Sequence, residues 1–86
     1  MGKYDKLLVK IVSGTSDANI QFVDLCGLLT HLGFEMRTRG SHHLFRKSQI
    51  IDKINLQREG SLAKPYQVKQ VRNVILKYKL GGTTNV

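Results

Sequence analysis

Several residue types that define common kinds of protein are scarce in this 86-residue chain. It has one cysteine, Cys26, so a disulfide framework within the chain is excluded and a reducing cytoplasm is the expected location. No apolar run approaches the roughly 20 residues of a membrane span. The first residues lack the basic start and apolar stretch of a secretory signal, so we expect neither insertion nor export. The length predicts a single domain over 1–86 and excludes a multidomain enzyme.

Acidic residues are also few, since six Asp and Glu stand against fourteen Lys and Arg, for a net charge of +8. Residues 1–36 contain three Lys and four acids, whereas residues 37–86 contain eleven basic residues and two acids. The positive surface therefore belongs to the C-terminal part. Clustered positive charge attracts phosphates, so nucleic acid is the expected partner. A basic surface that serves only solubility is the alternative.

Two helices are predicted in the first part of the chain. Apolar residues at helical spacing indicate a helix over about 3–12, within an N-terminal segment 1–13, and turn-forming residues follow it up to Asn19. Leu25, Leu28, Leu29 and Leu32 then predict a second helix that starts near Phe22. Gly33 is expected to end it in the left-handed conformation.

Strands are predicted where the apolar period changes to two. Phe34, Met36 and Thr38 alternate with charged residues, which is typical of a half-buried strand. A second strand is predicted over about 42–47, and a third over 50–57 that Gly60 and Ser61 close. Three sequential strands with short connections predict an antiparallel sheet.

A last helix is predicted from Pro65 to the glycines at 81 and 82, and residues 81–86 are expected to fray. The order of elements predicts an α+β fold in which the helices cover one face of a three-stranded sheet. The predicted core consists of Leu25, Leu28, Leu29, Leu32, Phe34, Phe45, Ile54, Val68, Val71 and Ile75.

The adjacent histidines His42 and His43 must point to opposite faces of their strand. Phe45 is the large apolar residue there, so it is expected to face the helices and to carry His43 inward. The side chains that then share the outward face are those of Arg37, Arg39, His42, Leu44, Arg46, Lys53, Asn55 and Gln57. One imidazole among cations can move a proton at a phosphodiester while the cations stabilise charge. The residues alone favour the simpler interpretation, a solvated histidine on a basic binding face.

Other chemistry finds little support in the sequence. Cys26, His31 and the strand histidines have no paired metal-ligand spacing, and Asp52 with Glu59 forms no carboxylate cluster. No glycine-rich phosphate loop is present. We therefore predict neither a metal nor any small-molecule cofactor.

The segment Leu25 to Leu80 resembles the HicA family, the small ribonuclease toxins of type II toxin-antitoxin modules. The residues that carry the resemblance are Leu32-Gly33-Phe34 and, after a basic stretch, Gly40-Ser41-His42-His43-Leu44-Phe45. It implies a fold like that of the double-stranded-RNA-binding domain over 22–80, with the N-terminal helix as an addition. It also implies metal-independent cleavage of mRNA by His42, and neutralisation by a HicB-type antitoxin that covers the site.

One departure concerns the third strand, where many members carry Val/Ile-Pro-x-His and this chain has Ile54-Asn55-Leu56-Gln57. No second histidine is available there. The residues predicted to contact RNA are Arg37, Arg39, Gly40, Ser41, Arg46 and Lys53, extended by Lys64, Lys69 and Arg72 at the start of the last helix. Two alternatives stay open, a noncatalytic RNA-binding domain and an interaction subunit that docks an acidic partner.

Overall fold

A computed structural model describes residues 2–81 of the chain, and the predicted tail from 82 onward lies outside them. The helices are α1 (Lys3–Ser13), α2 (Phe22–His31) and α3 (Pro65–Lys77), with one 3-10 turn at Asp17–Asn19. The strands are β1 (Glu35–Arg39), β2 (His42–Arg46), β3 (Ile54–Leu56), β4 (Arg58–Glu59) and β5 (Leu62–Ala63). The α+β class is confirmed. None of the helices combines the length and the apolar character that crossing a membrane requires.

The main sheet is antiparallel and has the strand order β1-β2-β3, as predicted. Phe45 at the centre lies opposite Met36 of β1 and Ile54 of β3. Directly opposed residues share a face, so these three side chains point to one side. We call this side the inner face, because Phe45 and Ile54 are fully buried there.

The core lies between the inner face and the helices. Every predicted core residue is buried except Leu32, which packs at the edge of the core because α2 has already ended. Ile11 of α1 and Ile20 after the 3-10 turn are also buried, so the N-terminal helix belongs to the same core. Gly33 has φ 99° and ends α2 in the left-handed region, as predicted.

Close packing joins α1 to α2 at Gly27. The ring of Tyr4 lies where a β-carbon at Gly27 would sit, so any larger residue would have to displace that ring. Tyr4 also stacks on His31, with 5.1 Å between ring centroids. The N-terminal helix is therefore tied to α2 along its side.

The prediction that β1 is half-buried is wrong, because all five of its residues are exposed. Phe34, the apolar residue that favoured burial, lies just before the strand and is buried. Met36 does point to the inner face, but it remains 50% exposed. β1 is the edge strand, and the helices do not extend far enough to cover it.

The third strand is shorter than predicted. Residues 47–53 form a loop, in which the Ile50 amide donates to the Lys47 carbonyl and Gln49 has φ 71°. Ile51 is 87% exposed there. This turn uses a backbone hydrogen bond where the prediction expected pairing with β2. Only residues Ile54–Leu56 pair with β2.

A small hairpin of β4 and β5 replaces the predicted simple turn at Gly60 and Ser61. Gly60 has φ 63°, which suits the tight connection. Its second strand runs beside the start of α2, where the Ala63 amide donates to the Ile20 carbonyl at 2.9 Å. The hairpin therefore closes the end of the core near Phe22. α3 begins at Pro65 as predicted, but it ends at Lys77 rather than at the glycines.

Candidate nucleic-acid interface and active site

The outer face of the sheet, opposite the helices, carries a basic surface. Leu44 lies opposite Arg37 and Asn55, and Arg39 lies opposite His42, so all of these side chains share one side. All of them are exposed except the half-buried Leu44. The full set on this outer face is Glu35, Arg37, Arg39, His42, Leu44, Arg46 and Asn55. Strand alternation thus places the predicted residues of β1 and β2, with Asn55, on one face. Lys53 and Gln57, which were predicted to share it as strand residues, lie just before and just after β3.

A concavity of about 410 Å³ opens beside β1 and β2. Its lining includes Arg37, Arg39, Arg46 and Lys53, four of the cations predicted to contact RNA. Glu35 also borders it, at the end of β1 farthest from His42. Met36, Leu44 and Phe45 complete the lining with Thr38, and His42 lies outside it. The four cations make this concavity better suited to a phosphate backbone than to a small apolar ligand.

The outer-face guanidinium groups are available for a ligand. Within residues 2–81, the ion pairs are Lys3 with Asp24, Arg72 with Asp17 and Lys77 with Asp52, and they involve none of the outer-face cations. The Lys3 and Lys77 pairs raise the pKa of each lysine through the hydrogen bond to its partner carboxylate. The acids of the described chain are thus mostly engaged away from the outer face.

His42 is exposed and has one polar partner on the same face. Its Nδ1 lies 3.2 Å from Oδ1 of Asn55. An amide oxygen can only accept a hydrogen bond, so this contact places the imidazole proton on Nδ1. The lone pair of neutral His42 is then on Nε2, which makes no hydrogen bond within residues 2–81. A histidine in this state can accept a proton from a ligand.

The turn before His42 is held by a second amide. Gln57 donates from Nε2 to Oγ of Ser41 at 3.0 Å, and its own backbone amide donates to Oε1 of Gln67 at 3.2 Å. Gln67 lies in the first turn of α3 and is only 4% exposed. Gly40 adopts φ 60° at the tip of the turn. A buried helical side chain therefore anchors the strand that holds the Gly40-Ser41 turn.

His43 lies on the inner face, as the alternation predicted. Its ring meets Phe22 edge-on, with 4.9 Å between centroids. Its Nδ1 is buried and has no hydrogen-bond partner among the described residues. The two neighbouring histidines are thus separated by the sheet and cannot act on one ligand.

The basic residues predicted to extend the RNA-binding surface along α3 do not lie on the outer face. α3 packs on the helical side of the sheet, and it carries Lys69 and Arg72 with it, while Lys64 is the residue that precedes its first turn. Arg72 donates from Nη1 to Asp17 at 2.9 and 3.1 Å and to the Ile11 carbonyl at 3.3 Å. Its guanidinium holds α3 to the end of α1, so few of its N–H groups are free to bind a phosphate.

Sequence reasoning did not assign a role to Asn55, Gln57 or Gln67. The first two were placed on the outward face, and their alternation on the third strand was the available signal. Gln67 gave none, because a glutamine between Tyr66 and Val68 at the start of a helix is typical of an exposed position. Its burial accompanies a contact with the backbone of Gln57, ten residues earlier.

The other reactive side chains of residues 2–81 form no second site. Burial raises the pKa of the Cys26 thiol, although the positive charge of Arg58 partly opposes this. In the part of the chain that the structure describes, no three His, Cys, Asp or Glu side chains cluster closely enough to hold a metal ion.

No family model, no curated protein and no solved structure matches this chain. What indicates its function is therefore the chemistry of the outer face together with the short motif around His42.

Proposed function

We propose that this protein is an endoribonuclease that cleaves mRNA with His42 as its catalytic residue, and that it is a HicA-type toxin. The observation that carries the proposal is the state of His42, an exposed imidazole with Nδ1 held by Asn55, on a face whose arginines form no ion pair within residues 2–81. The Gly40-Ser41-His42 sequence supports the toxin assignment. The free thiol of Cys26 supports a cytoplasmic location.

The reaction needs no external nucleophile, because RNA carries the 2′-OH next to each phosphodiester. Nε2 of His42 takes the proton from the 2′-OH, and the oxygen attacks the adjacent phosphorus as the bond to the 5′ oxygen breaks. The leaving oxygen takes a proton from solvent, so the products are a 2′,3′-cyclic phosphate and a 5′-OH end. This chemistry needs proton transfer and charge stabilisation, both of which side chains can supply.

The cations of the outer face have two roles in this proposal. Arg39 lies opposite His42 and Arg37 lies next to it on the same face, so either guanidinium can reach a phosphate held at the imidazole. There they stabilise the charge that gathers on the phosphoryl oxygens. Arg46 and Lys53 line the concavity at the end of β2 away from His42, and they contact neighbouring phosphates. The Gly40-Ser41 turn lets the backbone approach closely.

The order α2, β1, β2, β3, α3 supports a core related to the double-stranded-RNA-binding domain. In that interpretation α1 is an N-terminal addition, and the hairpin of β4 and β5 is an insertion before α3. A HicB-type antitoxin neutralises the enzyme by covering the outer face. Its contact surface should be acidic, because the face it covers is basic.

A noncatalytic RNA-binding domain is the second candidate. It is favoured by the scarcity of acid-base groups, since within residues 2–81 His42 is accompanied on the outer face only by the distant Glu35. In that case His42 contacts phosphate or stacks on a base, and the same cations supply affinity.

Incubation with a structured mRNA in EDTA separates the two candidates. We expect cleavage that leaves 2′,3′-cyclic phosphate ends, and loss of at least about 100-fold in rate in His42→Ala. His31→Ala is the matched control, because it removes another exposed imidazole, one that stacks on Tyr4 between the helices, and this variant should cleave normally. Substrates with 2′-deoxyribose at the cut site should resist. RNA binding without any cleavage by the unmodified protein would establish the second candidate.

A further inference from the structure

Two amide side chains on β3 and just after it hold the segment that carries His42. Asn55 contacts His42, and Gln57, two residues later on the same side, donates to Ser41. Each amide therefore reaches across to the start of β2. These contacts connect the third strand to the imidazole that the proposed function uses, so the effect of Asn55 on cleavage rests on that function.

The contact from Asn55 decides which nitrogen of His42 is basic. The two ring nitrogens of a neutral histidine differ, and the hydrogen bond made by one fixes the role of the other. Free imidazole side chains in water favour the proton on Nε2. Acceptance by Oδ1 of Asn55 reverses that preference and moves the proton to Nδ1. The lone pair is then on the nitrogen farther from the backbone, where a bound RNA can meet it.

The Asn55 side chain starts from a fixed position on the sheet. Its neighbours Ile54 and Leu56 are both fully buried, so β3 cannot shift without opening the core. The buried Gln67 accepts from the Gln57 backbone and fixes the end of the same strand. A hydrogen-bond acceptor that starts from a rigid strand can orient a neighbouring ring better than one in a loop.

We infer that Asn55 is a positioning residue that selects the Nδ1-protonated tautomer of His42 and so leaves Nε2 as the base. Asn55 does not touch the reacting atoms. Gln57 has a separate role, since it holds the Ser41 hydroxyl and makes no contact with the imidazole.

The tautomer can be measured without RNA. Nitrogen-15 NMR of histidine-labelled protein at about pH 8.5, two units above the ordinary imidazole pKa, distinguishes a protonated ring nitrogen from one with a lone pair. In the unmodified protein we expect the proton on Nδ1 of His42. Asn55→Leu keeps the size of the side chain but has no acceptor, so the proton should move mainly to Nε2. Asn55→Asp offers only acceptors and should keep it on Nδ1.

Two controls separate the positioning role from a general effect on folding. Gln57→Leu removes the other amide and should leave the His42 tautomer unchanged. The signals of His31 and His43 are assigned by substitution and should not move in Asn55→Leu. In the cleavage assay, Asn55→Leu should lower kcat about 10- to 100-fold with little change in KM, and Asn55→Asp should recover part of kcat.

Three results would decide the role of Asn55. A His42 proton on Nε2 in the unmodified protein, or a tautomer that is the same in Asn55→Leu, overturns the inference even if RNA is cleaved. A tautomer that depends on Asn55 in a protein that does not cleave RNA supports the positioning role and refutes the proposed function. A response of both tautomer and kcat supports the two together.

Discussion

The two faces of the sheet are built from the same three strands and have opposite characters. Phe45, Ile54 and Leu56 on the inner face are fully buried, whereas Arg37, His42 and Asn55 on the outer face are exposed. Because side chains alternate along a strand, a shift of one residue in register would exchange the two sets. Burial of the apolar set therefore fixes which of the two histidines is exposed. Substitutions on the two faces should accordingly affect different properties.

The largest contrast should come from neighbouring residues of β2. Phe45→Ala empties a fully buried site and should lower the free energy of unfolding by about 3 to 5 kcal/mol. Leu44→Ala, on the outer face, should lower it by less than about 1 kcal/mol. Chemical denaturation of both variants measures the difference. Similar losses would mean that the two faces are not distinct in the folded protein.

Substitution of Arg72 tests whether this cation stabilises the fold or contacts RNA. Its side chain is 16% exposed and its partner Asp17 is 25% exposed, so Arg72→Ala should cost about 1 to 2 kcal/mol of stability. RNA affinity should stay the same once the variant is folded. Lys69→Ala is the control, and its stability should change by less than about 0.5 kcal/mol. A loss of RNA affinity in Arg72→Ala at unchanged stability would place Arg72 in the RNA-binding surface.

His43 offers a smaller effect of opposite sign. Its buried Nδ1 lacks a partner, and an unsatisfied buried polar atom is destabilising. His43→Phe removes that atom and keeps an aromatic ring against Phe22. We therefore expect the free energy of unfolding, measured by thermal denaturation, to rise by up to about 1 kcal/mol. RNA cleavage should be unaffected. A marked loss of cleavage in the stable variant would bring the inner face into the catalytic site.

The weakest effect is expected in the salt dependence of RNA binding. Each phosphate contact contributes about 0.7 to 0.9 to the slope of log affinity against log salt. Arg37→Gln should reduce the magnitude of the slope by about that amount, whereas Lys69→Gln on the helical side should leave it unchanged. Binding that is indifferent to salt would contradict the electrostatic role of the outer face.

The sequence predicted an element well wherever its apolar residues kept a regular spacing over many positions. The spacing of Leu25, Leu28 and Leu29 predicted α2 and its buried side, and alternation around Phe45 separated the two histidines correctly. Elements of two residues have no period to read, so the hairpin of β4 and β5 was not predicted. Its turn at Gly60 was recognised, but only as the end of a strand.

Other features depend on partners that are distant in the chain. The pairing of Arg72 with Asp17 joins residues 55 positions apart, and nothing near either residue indicates it. The exposure of Met36 follows from the place of β1 at the edge of the sheet, which alternation alone does not specify. Asn55 lay on the predicted face. Its contact with His42, however, depends on the pairing register of β2 and β3, which exists only in the folded sheet.

The partial burial of Cys26 makes the protein suitable for site-directed labelling. Burial raises the pKa of its thiol, so less of it is thiolate near neutral pH and maleimides react with it slowly. A new cysteine at the exposed Glu35, which lies on the outer face, would be solvated and would react first. A fluorophore or photo-crosslinker can thus be attached beside the outer face without first removing the natural cysteine, and the same chain can then report directly on what binds there.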